Sequence, residues 1–153
     1  MIALYRKFAT LDRMDRRLVV EAASVMAVVW TGLRLLRFPA LRRLLDRYAS
    51  TRTGLRAGEL PLTTIGNVRW AITAVAARFP SATCLVQALA ADAILRRRGL
   101  APELHIGVRA DGNSARPIEA HAWVECDGSV AIGSIGNLSD FTQLRSGSSA
   151  FES

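Results

Sequence analysis

The sequence predicts an α+β domain in which helices come first and an antiparallel sheet follows. Three observations support this fold class. Apolar residues recur at helical spacing in the first half, they alternate with polar residues in the second half, and a strong hairpin turn joins two alternating segments. The 153 residues are 50% apolar, as expected for one folded domain. We therefore expect a single domain with a helical part over 1–79, a core over 80–144 and a flexible tail over 145–153.

Apolar spacing and helix breakers define the elements of the first half. The predicted segments are a helix over Asp15–Leu36 that Pro39 ends, a short amphipathic helix over Ala40–Tyr48, a polar loop over Ala49–Gly58, and a helix that Thr63 or Thr64 caps and that runs to Phe79. The most apolar stretch, Leu18–Leu33, contains Glu21 and is shorter than the ~20 residues of a membrane span. We expect a buried or partner-facing helix there and no transmembrane segment.

The second half begins with one helix and continues with strands. The helix is predicted over Cys84–Arg98, with Ser81 or Thr83 as its cap and Gly99 after its end. Arginines 96–98 suit the negative end of the helix dipole. The predicted strands are Glu103–Arg109, Ile118–Cys126 and Ser129–Ile135, with Asp127-Gly128 as the hairpin turn between the last two.

The composition disfavours several function classes. The net charge is +7 and nineteen of the twenty basic residues are arginine. Because they are spread along helices without interleaved aromatics, we expect no nucleic-acid partner. Two cysteines and two histidines, none closely spaced, favour neither a disulfide framework nor a metal site, and we expect no cofactor. Charges near the start of the chain and unpaired cysteines favour a cytoplasmic protein.

Cys84 is the first candidate for chemistry because it lies at a predicted helix N-terminus. The dipole and the free amides of that end stabilise a thiolate and can hold the oxyanion of a tetrahedral intermediate. A lone cysteine is more often a small buried residue. Gln87, nearly one turn later, is either a second oxyanion donor or an exposed polar residue of the helix.

His121 makes a catalytic interpretation of Cys84 stronger. It lies mid-strand on the face opposite Ala120 and Ala122. A helix that starts at Cys84 and covers that face would bring the two side chains together. The pair would give a thiolate–imidazolium nucleophile, and the histidine would then protonate a leaving amine. Trp123 shares the face of His121, where it either walls a cleft or packs against the Cys84 helix.

Two other residues of the same types are expected to be structural. His105 lies beside the charged residues Glu103 and Arg109 and is expected at the surface. Cys126 shares the apolar face of its strand and is expected in the core.

Four sequence features together resemble one protein family. They are Pro80-x-x-x-Cys84-Leu85, the helix ending in Arg-Arg-Gly, the strand with Ile106-Gly107-Val108, and His121-Ala122-Trp123-Val124-Glu125. Residues 80–135 resemble the transglutaminase-like cysteine protease of lasso peptide biosynthesis, in its free-standing form without the fused precursor-recognition domain. The preceding helical region, including Trp70-Ala71, is similar in kind.

The resemblance implies a fold, an activity and partners. The fold is a papain-like core with one central helix bearing Cys84 and a small antiparallel sheet. The activity is removal of the leader from a ribosomally made precursor peptide by a Cys-His-Asp triad, with Cys84 as nucleophile and His121 as base. The implied partners are the precursor, a separate leader-binding protein and an asparagine-synthetase-like, ATP-dependent cyclase.

The third triad member does not transfer to this sequence. The hairpin turn places His121 opposite about Ser134, on a strand without a carboxylate. Asp127 is six residues from His121, about 20 Å along a strand at ~3.3 Å per residue, and is expected to be a turn residue. Ser134, Asn137 and Asp140 remain candidates for orienting the imidazole.

Two other functions stay open at this point. The missing carboxylate favours a non-catalytic scaffold of the same fold that binds a peptide in its groove. The same nucleophile could also pass the acyl group to an amine instead of to water.

Overall fold

The computed structural model describes residues 13–54, 60–79, 81–110, 118–134 and 138–144. In these ranges four α-helices precede one antiparallel sheet, so the predicted α+β class is confirmed. The helices are α1 (Arg13–Leu35), α2 (Phe38–Ser50), α3 (Pro61–Ala76) and α4 (Cys84–Arg97), and the strands are β1 (Glu103–Ala110), β2 (Ile118–Cys126), β3 (Ser129–Ile132) and β4 (Thr142–Leu144), with a 3₁₀ turn over Leu138–Asp140. The expected tail over 145–153 lies outside the described residues.

The central element is α4. A run of consecutive residues, Ala88–Leu95, is buried, so the helix is enclosed on all sides. Many of these residues are alanines, and small side chains let neighbouring elements approach closely. The other three helices pack on α4 from one side, and the sheet covers it through β2 from the other.

The strands of the sheet lie in the order β3-β2-β1-β4. In β1 and β2, Gly107 is opposite His121. Asp127 and Gly128 both have positive φ, 51° and 74°, as a two-residue hairpin turn requires. One extra residue, Ala131, interrupts the pairing of β2 with β3. The strand β3 is shorter than the predicted Ser129–Ile135, and it ends at Ile132.

The two faces of β2 have different surroundings. Ala122, Val124 and Cys126 are buried in the same hydrophobic cluster as α4, which confirms the prediction that Cys126 is a core residue. Side chains alternate along a strand, so His121 and Trp123 project from the outer face, away from the helices.

One stripe of α1 belongs to the core. At its end Gly32 lies directly against Leu41 of α2, because a Cβ at position 32 would be 2.6 Å from a methyl carbon of that leucine. The buried residues of the stripe are Leu18, Ala22, Val25, Met26, Val29 and Gly32.

By length and a mean hydropathy of 1.6, α1 also qualifies as a candidate membrane span, with 33% of the 18-residue window buried. The core helix of a soluble protein passes the same test.

Charged groups fasten the C-terminal end of α4 to α1 and α2. Arg97 and Arg98 bind the two carboxylate oxygens of Glu21 at 2.9 and 2.6 Å. Arg96 donates to Asp92 at 3.1 Å and to Asp46 at 2.6 Å. The three arginines therefore bind specific carboxylates besides lying at the favourable end of the dipole.

The start of α3 differs from the prediction. Neither Thr63 nor Thr64 is the cap, because the helix begins at Pro61 after Leu60. Proline suits the first turn, since its missing N–H would have no acceptor inside the helix. Thr64 is buried, and its hydroxyl donates to the Leu60 carbonyl at 3.3 Å. Likewise Pro39 lies in the first turn of α2.

Candidate active site

Cys84 is the first residue of α4, as predicted. Thr83 is the N-cap, and its hydroxyl accepts from the backbone N–H of Val86 at 3.4 Å. Cys84 is half-buried, carries a free thiol and packs on the margin of the core. The first amides of the helix have no acceptor within it, so this end presents N–H donors and a positive dipole beside the sulfur.

Gln87 folds back over the turn that precedes Cys84. Its side-chain nitrogen donates to the carbonyl of Ala82 at 2.8 Å, and the residue is half-buried. The contact holds the segment that leads into α4. An amide nitrogen carries two hydrogens, so this contact uses one N–H of Gln87, and the expected role of the residue as an oxyanion donor stays a prediction.

His121 is held through one ring nitrogen. Nε2 lies 2.7 Å from the carbonyl oxygen of Gly133. A carbonyl oxygen only accepts hydrogen bonds, so Nε2 must carry the hydrogen. In the neutral ring Nδ1 is then the nitrogen with the free lone pair, and it is the atom that can act as a base.

Two aromatic side chains fix the plane of the His121 ring. Trp123 stacks nearly parallel to it, with centroids 6.1 Å apart and an interplanar angle of 14°. Phe141 is tilted by 48° at 5.7 Å. Both approach the backbone of Gly107, where an added Cβ would lie 2.8 Å from the Cβ of Phe141 and 3.1 Å from the Trp123 ring. Only glycine leaves room for this packing.

Trp123 is a buried part of the outer face. It is 1% exposed and lies outside the cluster around α4. Its Nε1–H donates to Glu125 at 2.9 Å. Trp123 packs on the outer face and supports His121, outside the cluster around α4; its expected role as a cleft wall stays a prediction.

His105 is not the surface residue that the sequence predicts. Its ring stacks on the other side of Trp123, with centroids 5.3 Å apart, and its side chain is 18% exposed. Nε2 lies 3.7 Å from Glu103 and 3.8 Å from Glu125 and makes no hydrogen bond in the described part of the chain. The imidazole is covered on one face by the indole, an arrangement typical of aromatic pairs.

Among the described candidates for the third triad member, none makes a hydrogen bond to the His121 ring. Asp127 is exposed in the hairpin turn and Ser134 is exposed after β3. Asp140 faces Arg109, with 3.8 Å between their charged groups. Asn137 lies outside the described residues. In the described part of the chain, the hydrogen-bond partner of the imidazole is instead the main-chain carbonyl of Gly133, which sequence reasoning missed.

The relative placement of Cys84 and His121 follows from the two faces of β2. The body of α4 covers the inner face, whereas the imidazole projects from the outer one. In the ranges described, no hydrogen bond or ring contact joins the two residues. Glu125, near the far end of β2, pairs with Glu103 of β1, shortly after α4 ends. The end of β2 that carries His121 is therefore directed away from the C-terminal end of α4. The catalytic pairing stays a prediction.

Comparison with known proteins identifies the family. The family model of the transglutaminase-like superfamily matches residues 27–146. The match begins within α1 and continues past β4, so it includes both the helices and the sheet. Neither the curated proteins nor the solved structures searched give a match. Since the family model covers more than half of the sequence, this chain belongs to the transglutaminase-like superfamily.

Proposed function

We propose that this chain is a cysteine endopeptidase that removes the leader peptide from a ribosomally made lasso precursor. A separate leader-binding protein delivers the precursor, and a cyclase closes the macrolactam afterwards. The reaction takes place in the cytoplasm and needs no metal or nucleotide on this chain. The acyl group goes to water, so the chain is a hydrolase.

One observation carries the proposal: the free thiol of Cys84 lies at the N-terminus of the central helix in a chain of the transglutaminase-like superfamily. That superfamily includes cysteine proteases and transglutaminases. Both chemistries begin with a thiolate attacking a carbonyl. The lasso precursor as substrate is supported by the sequence features around Cys84 and His121.

The residues have distinct roles in the proposed reaction. Nδ1 of His121 takes the thiol proton of Cys84, and the sulfur attacks the scissile carbonyl. Amides at the start of α4, with the second N–H of Gln87, hold the oxyanion. His121 returns the proton to the leaving amine, which frees the core peptide. Water then hydrolyses the thioester, releases the leader as its acid and restores the thiol.

The reaction requires the thiol and Nδ1 to come within hydrogen-bonding distance when the precursor is bound. The two groups come from different faces of the sheet, so the proposal requires them to meet at the edge where α4 begins. Delivery of the precursor by a second protein gives an occasion for such closure.

The test is cleavage of the cognate precursor. The chain is mixed with a lasso precursor and its leader-binding protein, and the products are identified by mass spectrometry. We expect a free leader with the parent chain and none with Cys84→Ala or His121→Gln. Cys126→Ala is the matched control and should cleave normally. Equal cleavage by Cys84→Ala would overturn the proposal.

A non-catalytic scaffold is the second candidate, and one observation favours it. The His121 ring is held by a neutral carbonyl and not by a carboxylate, as in a site that has lost its triad. A scaffold would bind the precursor and its carrier without releasing a leader.

Acyl transfer to an amine is the remaining alternative. An amine added to the cleavage reaction tests it, because acyl transfer yields a leader with the amine attached in place of the free acid.

A further inference from the structure

The imidazole of His121 is held by the main chain in a way that depends on one glycine. Gly133 has φ of +80°, and an added Cβ would lie 2.7 Å from the carbonyl oxygen of Ala122 and 2.9 Å from the Cβ of Trp123. Both the positive φ of Gly133 and the lack of space for a Cβ at this position exclude a side chain. The backbone of Gly133 therefore lies flat against β2, and this close approach brings its carbonyl to the imidazole.

Nearby carboxylates have other partners or positions. Glu125 shares the outer face but accepts from Trp123. Asp140 faces Arg109, whose guanidinium also binds Glu119. A carboxylate that did hold His121 would have to displace the carbonyl at 2.7 Å.

Resting on the proposed peptidase function, we propose that the main-chain carbonyl of Gly133 takes the place of the triad carboxylate as the group that positions His121. It keeps the hydrogen on Nε2 and directs the lone pair of Nδ1 to the proton that must be removed. A carbonyl dipole supplies orientation as a carboxylate does, without a full negative charge opposite the imidazolium. Gly133 is thus a positioning residue that acts through His121.

The direct test is the tautomer of His121, which needs no substrate. Long-range ¹H–¹⁵N correlation spectra of the ¹⁵N-labelled chain distinguish a protonated from an unprotonated ring nitrogen. They would be recorded over a series of pH values, so that the neutral ring is observed. His121→Gln and His105→Gln assign the two rings. We expect Nε2 of His121 to be protonated and Nδ1 unprotonated. A protonated Nδ1, or a fast mixture of both tautomers, would overturn the proposal.

Two glycine variants connect the tautomer to cleavage. Gly128 also has positive φ, +74°, but an added Cβ there meets nothing within 4 Å. Gly128→Ala should therefore keep both the tautomer and the cleavage rate. Gly133→Ala should shift the carbonyl, mix the tautomers and slow cleavage by about 10²-fold, the usual cost of a 1 Å misplacement.

The outcomes separate this proposal from the peptidase itself. Full cleavage and an unchanged tautomer in Gly133→Ala would refute the role of the carbonyl. If that variant does not fold, the spectrum of the parent chain decides. A parent chain with the expected spectrum that cleaves no precursor refutes the peptidase and supports the hydrogen bond.

Discussion

The two ends of α4 are held by different kinds of contact. At the C-terminal end, Arg96–Arg98 are fastened to carboxylates of α1, α2 and α4 itself. At the N-terminal end, Cys84 is half-buried and its neighbourhood is held by neutral contacts, from Thr83 to Val86 and from Gln87 to Ala82. The C-terminal end is thus held by ion pairs, whereas the positive end of the helix dipole lies beside the Cys84 thiol. Variants at the two ends should therefore affect different properties.

The largest effect on stability is expected from Asp92→Asn. Asp92 is 3% exposed and accepts from Arg42 and Arg96, both at 3.1 Å. Without its charge, two partly buried guanidinium groups face a neutral amide, so we expect a loss of about 2–3 kcal/mol in the free energy of unfolding. Urea denaturation measures it. Asp46→Asn is the control, because that side chain is 53% exposed and should contribute less than about 1 kcal/mol. Equal losses would mean that burial of the carboxylate does not matter.

The two cysteines should differ in reactivity. Burial, with the charge of Asp127 beside it, raises the pKa of the Cys126 thiol, whereas Cys84 is half-buried. Iodoacetamide should modify Cys84 about 10²-fold faster, since a core residue reacts only after an opening that costs several kcal/mol. A time course of peptide mass spectrometry measures both sites in one sample. In denaturant the difference should vanish. Equal rates in the folded chain would contradict the assignment of Cys126 to the core.

Alkaline pH should weaken the fastened end of α4. Tyr48 donates to Glu21, and burial together with that carboxylate raises the pKa of its phenol from 10.0 to about 12. As the pH rises, the Tyr48 phenol ionises in the unfolded chain before it does so in the folded one. The stability that this protonated phenol contributes is therefore fully present below pH 10 and is lost as the pH rises towards 12.

The expected loss from Tyr48 is up to about 2 kcal/mol, reduced because the ring is only partly buried. Urea denaturation of the parent chain and of Tyr48→Phe at pH 9 and pH 11.5 measures it. The phenylalanine variant should show a smaller decrease between the two pH values. An equal decrease would assign the alkaline loss to other groups.

The smallest effect is expected at the N-cap of α4. Thr83→Ala removes the acceptor of the Val86 N–H, which costs about 0.5–1 kcal/mol because the 3.4 Å contact is long. Thr83→Ser keeps the hydroxyl and should retain most of that stability. Thermal or urea unfolding of both variants decides, and a serine variant as unstable as the alanine one would show that the methyl group, not the cap, is what matters.

Local rules predicted the elements where the sequence pattern is strong. The strand Ile118–Cys126 matches the structure, because its alternation is regular and an Asp-Gly turn follows it. The start of α4 was predicted by Thr83 and Cys84. Local rules missed β4, since three residues, Thr142–Leu144, are too few to show a period. Phe141, which packs on the His121 ring, precedes that strand and was missed with it.

The surroundings of the candidate site were less predictable. Alternation put His121 and Cys126 on opposite faces of one strand, and the structure agrees with this. It does not say which face a helix covers, and the structure places α4 on the face of Cys126. The sequence offers side chains as partners of the imidazole, whereas in the structure its partner is the main-chain carbonyl of Gly133. A main-chain partner leaves no signal in side-chain chemistry apart from the glycine itself.

By itself the sequence determined the order of helices and strands, the position of Cys84 at a helix start and the alternation that separates His121 from the core. These are consequences of local periodicity and capping, which depend on neighbours along the chain. Only the tertiary structure decided that Gly133 holds the imidazole, that Trp123 and Phe141 support it, and that carboxylates from three helices bind the arginines of α4. Those contacts join residues distant in sequence, and their geometry depends on how the packed layers meet.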